Sequence, residues 1–179
     1  VSNRLVFTGR GGETFGVEIC EDLWTPLSPG THLALSGAEM LFNLSASNET
    51  IGKRAYRREI VKTQSASALC VYAYVSAGSG ESTTDLIFSG HSMVAENGSV
   101  ICENDSLIDD DYLLCTDVDL GKIRADRRKL RSFSDCASAD AETANVRHIK
   151  LYAPLKNRQT RDDSGVLYPL RKLPFVPQT

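Results

Sequence analysis

No stretch of this sequence is apolar over the length a membrane span requires, and no CxxC pair occurs in it. The first absence argues against a membrane protein. The second argues against a zinc centre and a disulfide framework, because the five cysteines (Cys20, Cys70, Cys102, Cys115 and Cys136) are odd in number and widely spaced. A large charge of one sign is missing too. The formal net charge is −3 at pH 7, which makes no case for a nucleic-acid partner or an anionic membrane surface. The basic run "IRADRRKLR" (123–131) reads as a solvated helix face, offset by "DDD" at 109–111. No leader-like segment opens the sequence, so we expect a reducing, cytoplasmic compartment. The sequons at Asn43, Asn48, Asn97 and Asn104 are then chance matches.

What is present is an ordinary globular composition, 41% hydrophobic over 179 residues, enough for one domain with a core. "RLVFTGRGGETFGVEIC" predicts two strands joined by a glycine-rich turn at 9–12, the second ending at Cys20. A short helix is expected over 31–36 and a buried strand over 40–47. An amphipathic helix follows over 51–69, with Lys53, Arg54, Arg57, Arg58 and Lys62 on its charged face. "CVYAYVSAG" is a strand by its β-branched and aromatic content, and Asn97-Gly98 marks a two-residue hairpin turn. "YLLCTDVDL" (112–120) reads as a further strand and 119–128 as a helix, whereas the chain from about 131 is polar and weakly periodic. The fold class is α/β with a mixed sheet. Cys70, Cys102 and Cys115 sit in apolar runs and are expected to be small buried hydrophobes.

Cys20 raises the chemical question. A thiol at the end of a strand is placed where reactive groups collect in α/β sheets. Glu21 and Asp22, however, discourage the thiolate, which needs a cation or base beside it. Taken alone, a buried cysteine closing a strand is the better reading. Its neighbours change that. "GVEICEDLW" (16–24), "NLSASNETIGKRAYRR" (43–58), "YVSAGSGESTTDLIFSGHS" (74–92) and "ENG" (96–98) resemble, in order and spacing, the nitrilase superfamily. Within it they are most similar to the glutaminase domains of glutamine-dependent NAD synthetases.

The resemblance implies an α-β-β-α sandwich with mixed sheets, of which this chain is an incomplete part. It implies a Glu-Lys-Cys constellation in which Cys20 is the nucleophile that attacks the glutamine side-chain amide. In that family the glutamate and lysine lie well upstream of the cysteine. Here no lysine precedes Cys20, and Glu13 and Glu18 are too close along the same strand to serve as the base. We therefore expect residues 1–170 to be the C-terminal portion of a glutaminase domain. Residues 171–179, including "PFVP", are expected to form a linker toward an absent synthetase domain. ATP and magnesium are implied for that absent domain and no cofactor for this segment. The implied partners are L-glutamine, the upstream part of the glutaminase domain, the synthetase domain and further copies in a homo-oligomer, with no nucleic acid and no membrane.

Glutamine carries one ammonium and one carboxylate, so a selective site needs both signs of charge. Glu21 suits the ammonium. Ser47 and Lys53 match glutamine-contacting positions of the family. Trp24 is a candidate pocket wall. Each has a plainer reading: Ser47 as a helix N-cap, Lys53 as a solvated helix residue, Trp24 as packing. Glu81 and Asp85 in "GESTTD" are expected to hold a structural loop, and His91 and His148 to be structural or surface residues. Three alternatives stand beside the leading reading: a stand-alone amidase acting on another small amide, a non-catalytic fragment, and a Cys20–His91 dyad. Inward-facing Val17, Ile19, Leu41 and Phe42 are expected to lack packing partners.

Overall fold

A computed structural model describes residues 4–105 and 112–152. Seven strands form one mixed sheet: β1 (Leu5–Thr8), β2 (Thr14–Ile19), β3 (Met40–Ser45), β4 (Val71–Ser76), β5 (Ser92–Glu96), β6 (Ser99–Glu103) and β7 (Arg147–Lys150). Their order across the sheet is β6-β5-β4-β3-β2-β1-β7. β2, β3 and β4 run parallel, because helices carry the chain back between them. β1 and β2 form an antiparallel pair through the predicted glycine-rich turn, as do β4 with β5 and β5 with β6.

The helices are α1 (Pro29–Leu35), α2 (Lys53–Ser67), α3 (Leu120–Lys129) and α4 (Arg131–Ala139). α1 starts on a proline, whose missing N–H and fixed φ suit the first helical position. α2 is capped by Gly52 in the left-handed region, so Ser47 is not its N-cap. α3 is capped by the Asp119 carboxylate, which accepts from the Lys122 N–H. Arg127 on α3 donates to the carbonyls of Ala38 and Leu69 at 2.7 and 2.8 Å, stitching the helix to chain ends that precede β3 and β4.

α1 and α2 cover one face of the sheet, where Val6, Leu41, Tyr72, Tyr74, Met93 and Ala95 are all fully buried with Leu33 and Val61. Gly16 allows this approach: a Cβ there would stand 2.8 Å from the Leu33 side chain. Asn97 and Gly98 both take positive φ, the conformation a two-residue hairpin turn demands between β5 and β6. The opposite face is apolar and open. Ile19, Leu44 and Val75 lie in register across β2, β3 and β4 on that face, and are 55%, 52% and 48% exposed.

Several expectations change. Leu41 points to the helix side and is buried, whereas Val17 and Phe42, only partly buried, and Ile19 lie on the open side, as their register shows. Residues 112–119 form no strand. They lie along the open face, where Leu113 and Val118 with Met40, Phe42, Val71 and Val94 line an apolar cavity of about 740 Å³. Their apolar side chains serve that lining rather than a ladder. The polar region after 131 supplies α4 and the edge strand β7, which pairs parallel to β1. Cys70 is buried, but Cys102 is only partly so and Cys115 is exposed. Arg57 is not on the solvated side of α2. It is fully buried in line with Val61 and Ser65, at helical spacing. The acidic run at 109–111 and the expected linker at 171–179 lie outside the described residues. Among those described, no helix is long and apolar enough to cross a membrane.

Candidate active site

β2 ends at Ile19, and Cys20 opens a 3₁₀ helix, Cys20–Trp24. The backbone at Cys20 has φ of 49°, a left-handed conformation that costs a non-glycine residue about 1–2 kcal/mol. Asn43, buried on neighbouring β3, donates from its side-chain amide to the Cys20 carbonyl at 3.3 Å. Asp22 turns back and accepts from the Ile19 N–H at 2.8 Å, so its carboxylate is engaged by the backbone.

Cys20, Glu21, Trp24, Ser47 and Lys53 line one cavity of about 710 Å³. Ala46, Ser47, Asn48, Thr50, Ile51 and Gly52, in the segment joining β3 to α2, make its other wall. The five residues singled out in the sequence thus meet in space although 33 positions separate the first from the last. Lys53 opens α2, and its ammonium donates to the Asn48 side chain. Trp24 stacks on Tyr56 at 5.6 Å between ring centroids and 25° between planes. Tyr56 also lines the cavity, and its spacing from Lys53 on α2 offered a signal for it.

His91 does not line this cavity. It is fully buried and engaged by Arg57 and Glu103, which removes the Cys20–His91 dyad. Glu18 is buried as well and accepts from Tyr72, Ser28 and the Gly30 N–H, so it buttresses the sheet against α1. Burial, with Glu18 beside it, raises the Tyr72 phenol well above its ordinary range. Burial likewise pushes the Cys70 thiol up to about 12, which leaves it inert. Cys102 is raised by burial too. In the 81–87 loop, Glu81 and Asp85 are exposed, and Thr83 rather than either carboxylate accepts the loop's N–H groups. His148 is exposed on β7. Among the described residues no group of three or more His, Cys, Asp or Glu side chains is arranged to hold a metal ion.

Ser47 is buried, its N–H donating to Ser76 Oγ at 3.2 Å. Behind it, Arg57 donates to Glu49 at 3.2 Å and to Ser47 Oγ at 3.4 Å. Glu49 also accepts from Ser89 Oγ at 2.6 Å. Burial raises the Glu49 carboxyl, but Ser89 and Arg57 outweigh it and hold the group below the ordinary carboxylate value. Periodicity missed Arg57 and Glu49 because both residue types default to solvent.

The carbon-nitrogen hydrolase family model matches residues 3–128. The glutamine-dependent NAD(+) synthetase of Mycobacterium leprae is 35% identical over 171 residues, spanning 93% of this chain and 24% of that protein. The human protein of the same name is 30% identical over 148 residues, spanning 78% and 21%. This chain therefore covers less than a quarter of the length of either relative. The structure of the Acinetobacter baumannii glutamine-dependent NAD+ synthetase, solved with ADP, superposes with a TM-score of 0.55 at 28% identity, over 62% of this chain and 20% of that one. A carbon-nitrogen hydrolase from Helicobacter pylori shares the fold, with a TM-score of 0.54 at 22% identity over 65% and 44% of the two chains.

Proposed function

The chain belongs to the carbon-nitrogen hydrolase family, and from that premise we propose that it carries the nucleophile and the substrate clamp of a glutaminase site in a glutamine-dependent NAD synthetase. The observation that carries this reading is the shared cavity: a thiol on a strained strand end, one carboxylate, one ammonium and an aromatic wall. Glu21 and Lys53 offer opposite charges to the ammonium and carboxylate of an amino acid, which a plain aliphatic amide does not require.

In this reading the Cys20 sulfur attacks the side-chain amide carbon of L-glutamine and forms a C–S bond. The tetrahedral intermediate collapses with loss of ammonia, leaving a thioester; water then breaks the C–S bond, giving glutamate and the free thiol. The Glu21 N–H lies in the first turn of the 3₁₀ helix, where backbone donors lack helical partners, and it can donate to the developing oxyanion. Losing such a donor costs on the order of 100-fold in rate. The base that takes the thiol proton and returns it to the leaving ammonia, and the lysine that stabilises the charge, come from upstream polypeptide of the same domain. That polypeptide packs on the open apolar face beside Cys20. The ammonia then serves a separate synthetase domain, where ATP and magnesium support amidation of deamido-NAD. The protein works in the cytoplasm as a homo-oligomer.

The test is ammonia release from L-glutamine by the intact protein, with Cys20→Ala beside it. We expect a loss on the order of 10⁴-fold or more in the variant; undiminished release sinks the reading. The 179-residue chain alone, lacking base and lysine, is expected to release none.

A further inference from the structure

One arginine of α2 joins the cavity wall to the interior. Arg57 is fully buried, and its guanidinium hydrogen-bonds to three side chains, Ser47 Oγ at 3.4 Å, Glu49 Oε2 at 3.2 Å and His91 Nδ1 at 2.8 Å, while lying over the Tyr74 ring at 5.8 Å. Ser47 lines the cavity, and Glu49 sits between the lining residues Asn48 and Thr50. The arginine therefore grips the wall at two points from behind. Its Nε finds no acceptor among the described residues.

The histidine decides whether that grip is possible. A guanidinium has donors and no acceptor, so Nδ1 of His91 must present its lone pair to Arg57. Nε2 lies 2.9 Å from Glu103 Oε1 and donates to it. These two partners fix one neutral tautomer. The charges facing the ring are Arg57 and Arg54 on α2, Glu103 on β6 and Glu49 on the wall, with the Tyr74 ring on β4 at 6.3 Å. Arg54 and Arg58 both bind Glu103, so that carboxylate is already shared between two cations and the imidazole. A proton added at Nδ1 would set N–H against N–H and place two cations in contact. Glu103 can retain the imidazolium through Nε2, so Arg57 is the partner that must move.

We propose that Arg57 is a positioning residue for the substrate wall, and that neutral His91 is the latch that holds it, so that acidification loosens glutamine binding through this pair. The proposal rests on the glutaminase reading for its substrate, though not for its geometry. Burial draws the His91 proton affinity down, and Arg54 and Arg57 add to that, against the opposing pull of Glu103. The latch is consequently closed at neutral pH and opens on the acid side.

Two measurements on the intact protein test it. ¹⁵N imidazole spectra should show a bare Nδ1 and a protonated Nε2 at neutral pH; the reverse tautomer, or a cationic ring, overturns the proposal. In the second, KM for L-glutamine is followed from about pH 8 to about pH 5.5. We expect KM to rise about tenfold, the worth of one charge-assisted contact, with the midpoint of the His91 titration. His91→Gln keeps an acceptor for Arg57 and a donor for Glu103 but cannot titrate, and should flatten the rise. Arg57→Lys, which loses the fork, should raise KM at every pH. A wild-type KM that stays flat, or a His91→Gln profile that still rises, overturns the latch. Should the protein fail to hydrolyse glutamine at all, the glutaminase reading falls, and the latch is then judged on the Ser47 amide resonance. That resonance must shift with the His91 midpoint in wild type and not in His91→Gln; an unresponsive Ser47 overturns it.

Discussion

The helix-covered face of the sheet buries several polar groups beside its apolar core, while the other face leaves apolar groups exposed. Under α1 and α2 lie Glu18, Asn43, Arg57 and His91, all almost wholly buried and all hydrogen-bonded. On the other side, Ile19, Leu44 and Val75 stand about half exposed. Buried polar groups are costly unless paired, and each of these is paired, Asn43 to the Cys20 carbonyl itself. The helix side is thus finished within this chain. The open side is apolar in a way that normally marks an interface.

The sharpest way to break that contrast uses one strand. Leu41 and Leu44 both lie on β3 but face opposite sides. Leu41→Ala should cost about 2–5 kcal/mol in a urea melt of the chain, the range for cavities in a closed core. Leu44→Ala should cost within about 0.5 kcal/mol, as exposed positions do. Equal losses would mean that the open side is packed in solution. Acid should attack the finished side next. The folded-state proton affinity of His91 is depressed, so the unfolded chain binds more protons and stability falls as pH drops below about 6.5. A second loss should begin below about 4.3, because Glu49 and Glu103 are also held below their ordinary values. For Glu103, burial works upward and is outweighed by Arg58 and His91. A urea midpoint constant from pH 7 to about pH 5 would contradict the first loss. The smallest effect concerns the strand end where the faces meet. Cys20→Gly should be more stable than Cys20→Ala by about 1 kcal/mol, since only glycine adopts φ of 49° without strain.

Local patterns made part of this legible. The β1–β2 hairpin, β4 and the Asn97-Gly98 turn follow from side-chain alternation and turn chemistry, which act over a few residues. α2 was legible as a helix, but not in the direction of Arg57. A periodicity count treats arginine as solvent-facing, and only Glu49 in the loop before α2 and His91 from a distant segment make its burial affordable. β7 was illegible for a related reason: "RHIK" is a short polar edge whose identity comes from pairing with β1, more than 130 positions away. The apolar content of 112–119 misled in the opposite sense, because those side chains are used against the open face without a ladder. The gathering of Cys20, Glu21, Trp24, Ser47 and Lys53 was expected from the family resemblance and the charges of glutamine; their positions along the chain contain no distance.

The chain contains a single tryptophan, and it forms part of the cavity wall in contact with a tyrosine ring. Within this chain its emission is therefore an intrinsic optical readout of that one place. Titrating an amino acid into the unlabelled protein and following that light would report occupancy even in a variant whose sulfur has been removed, and so separate binding from turnover.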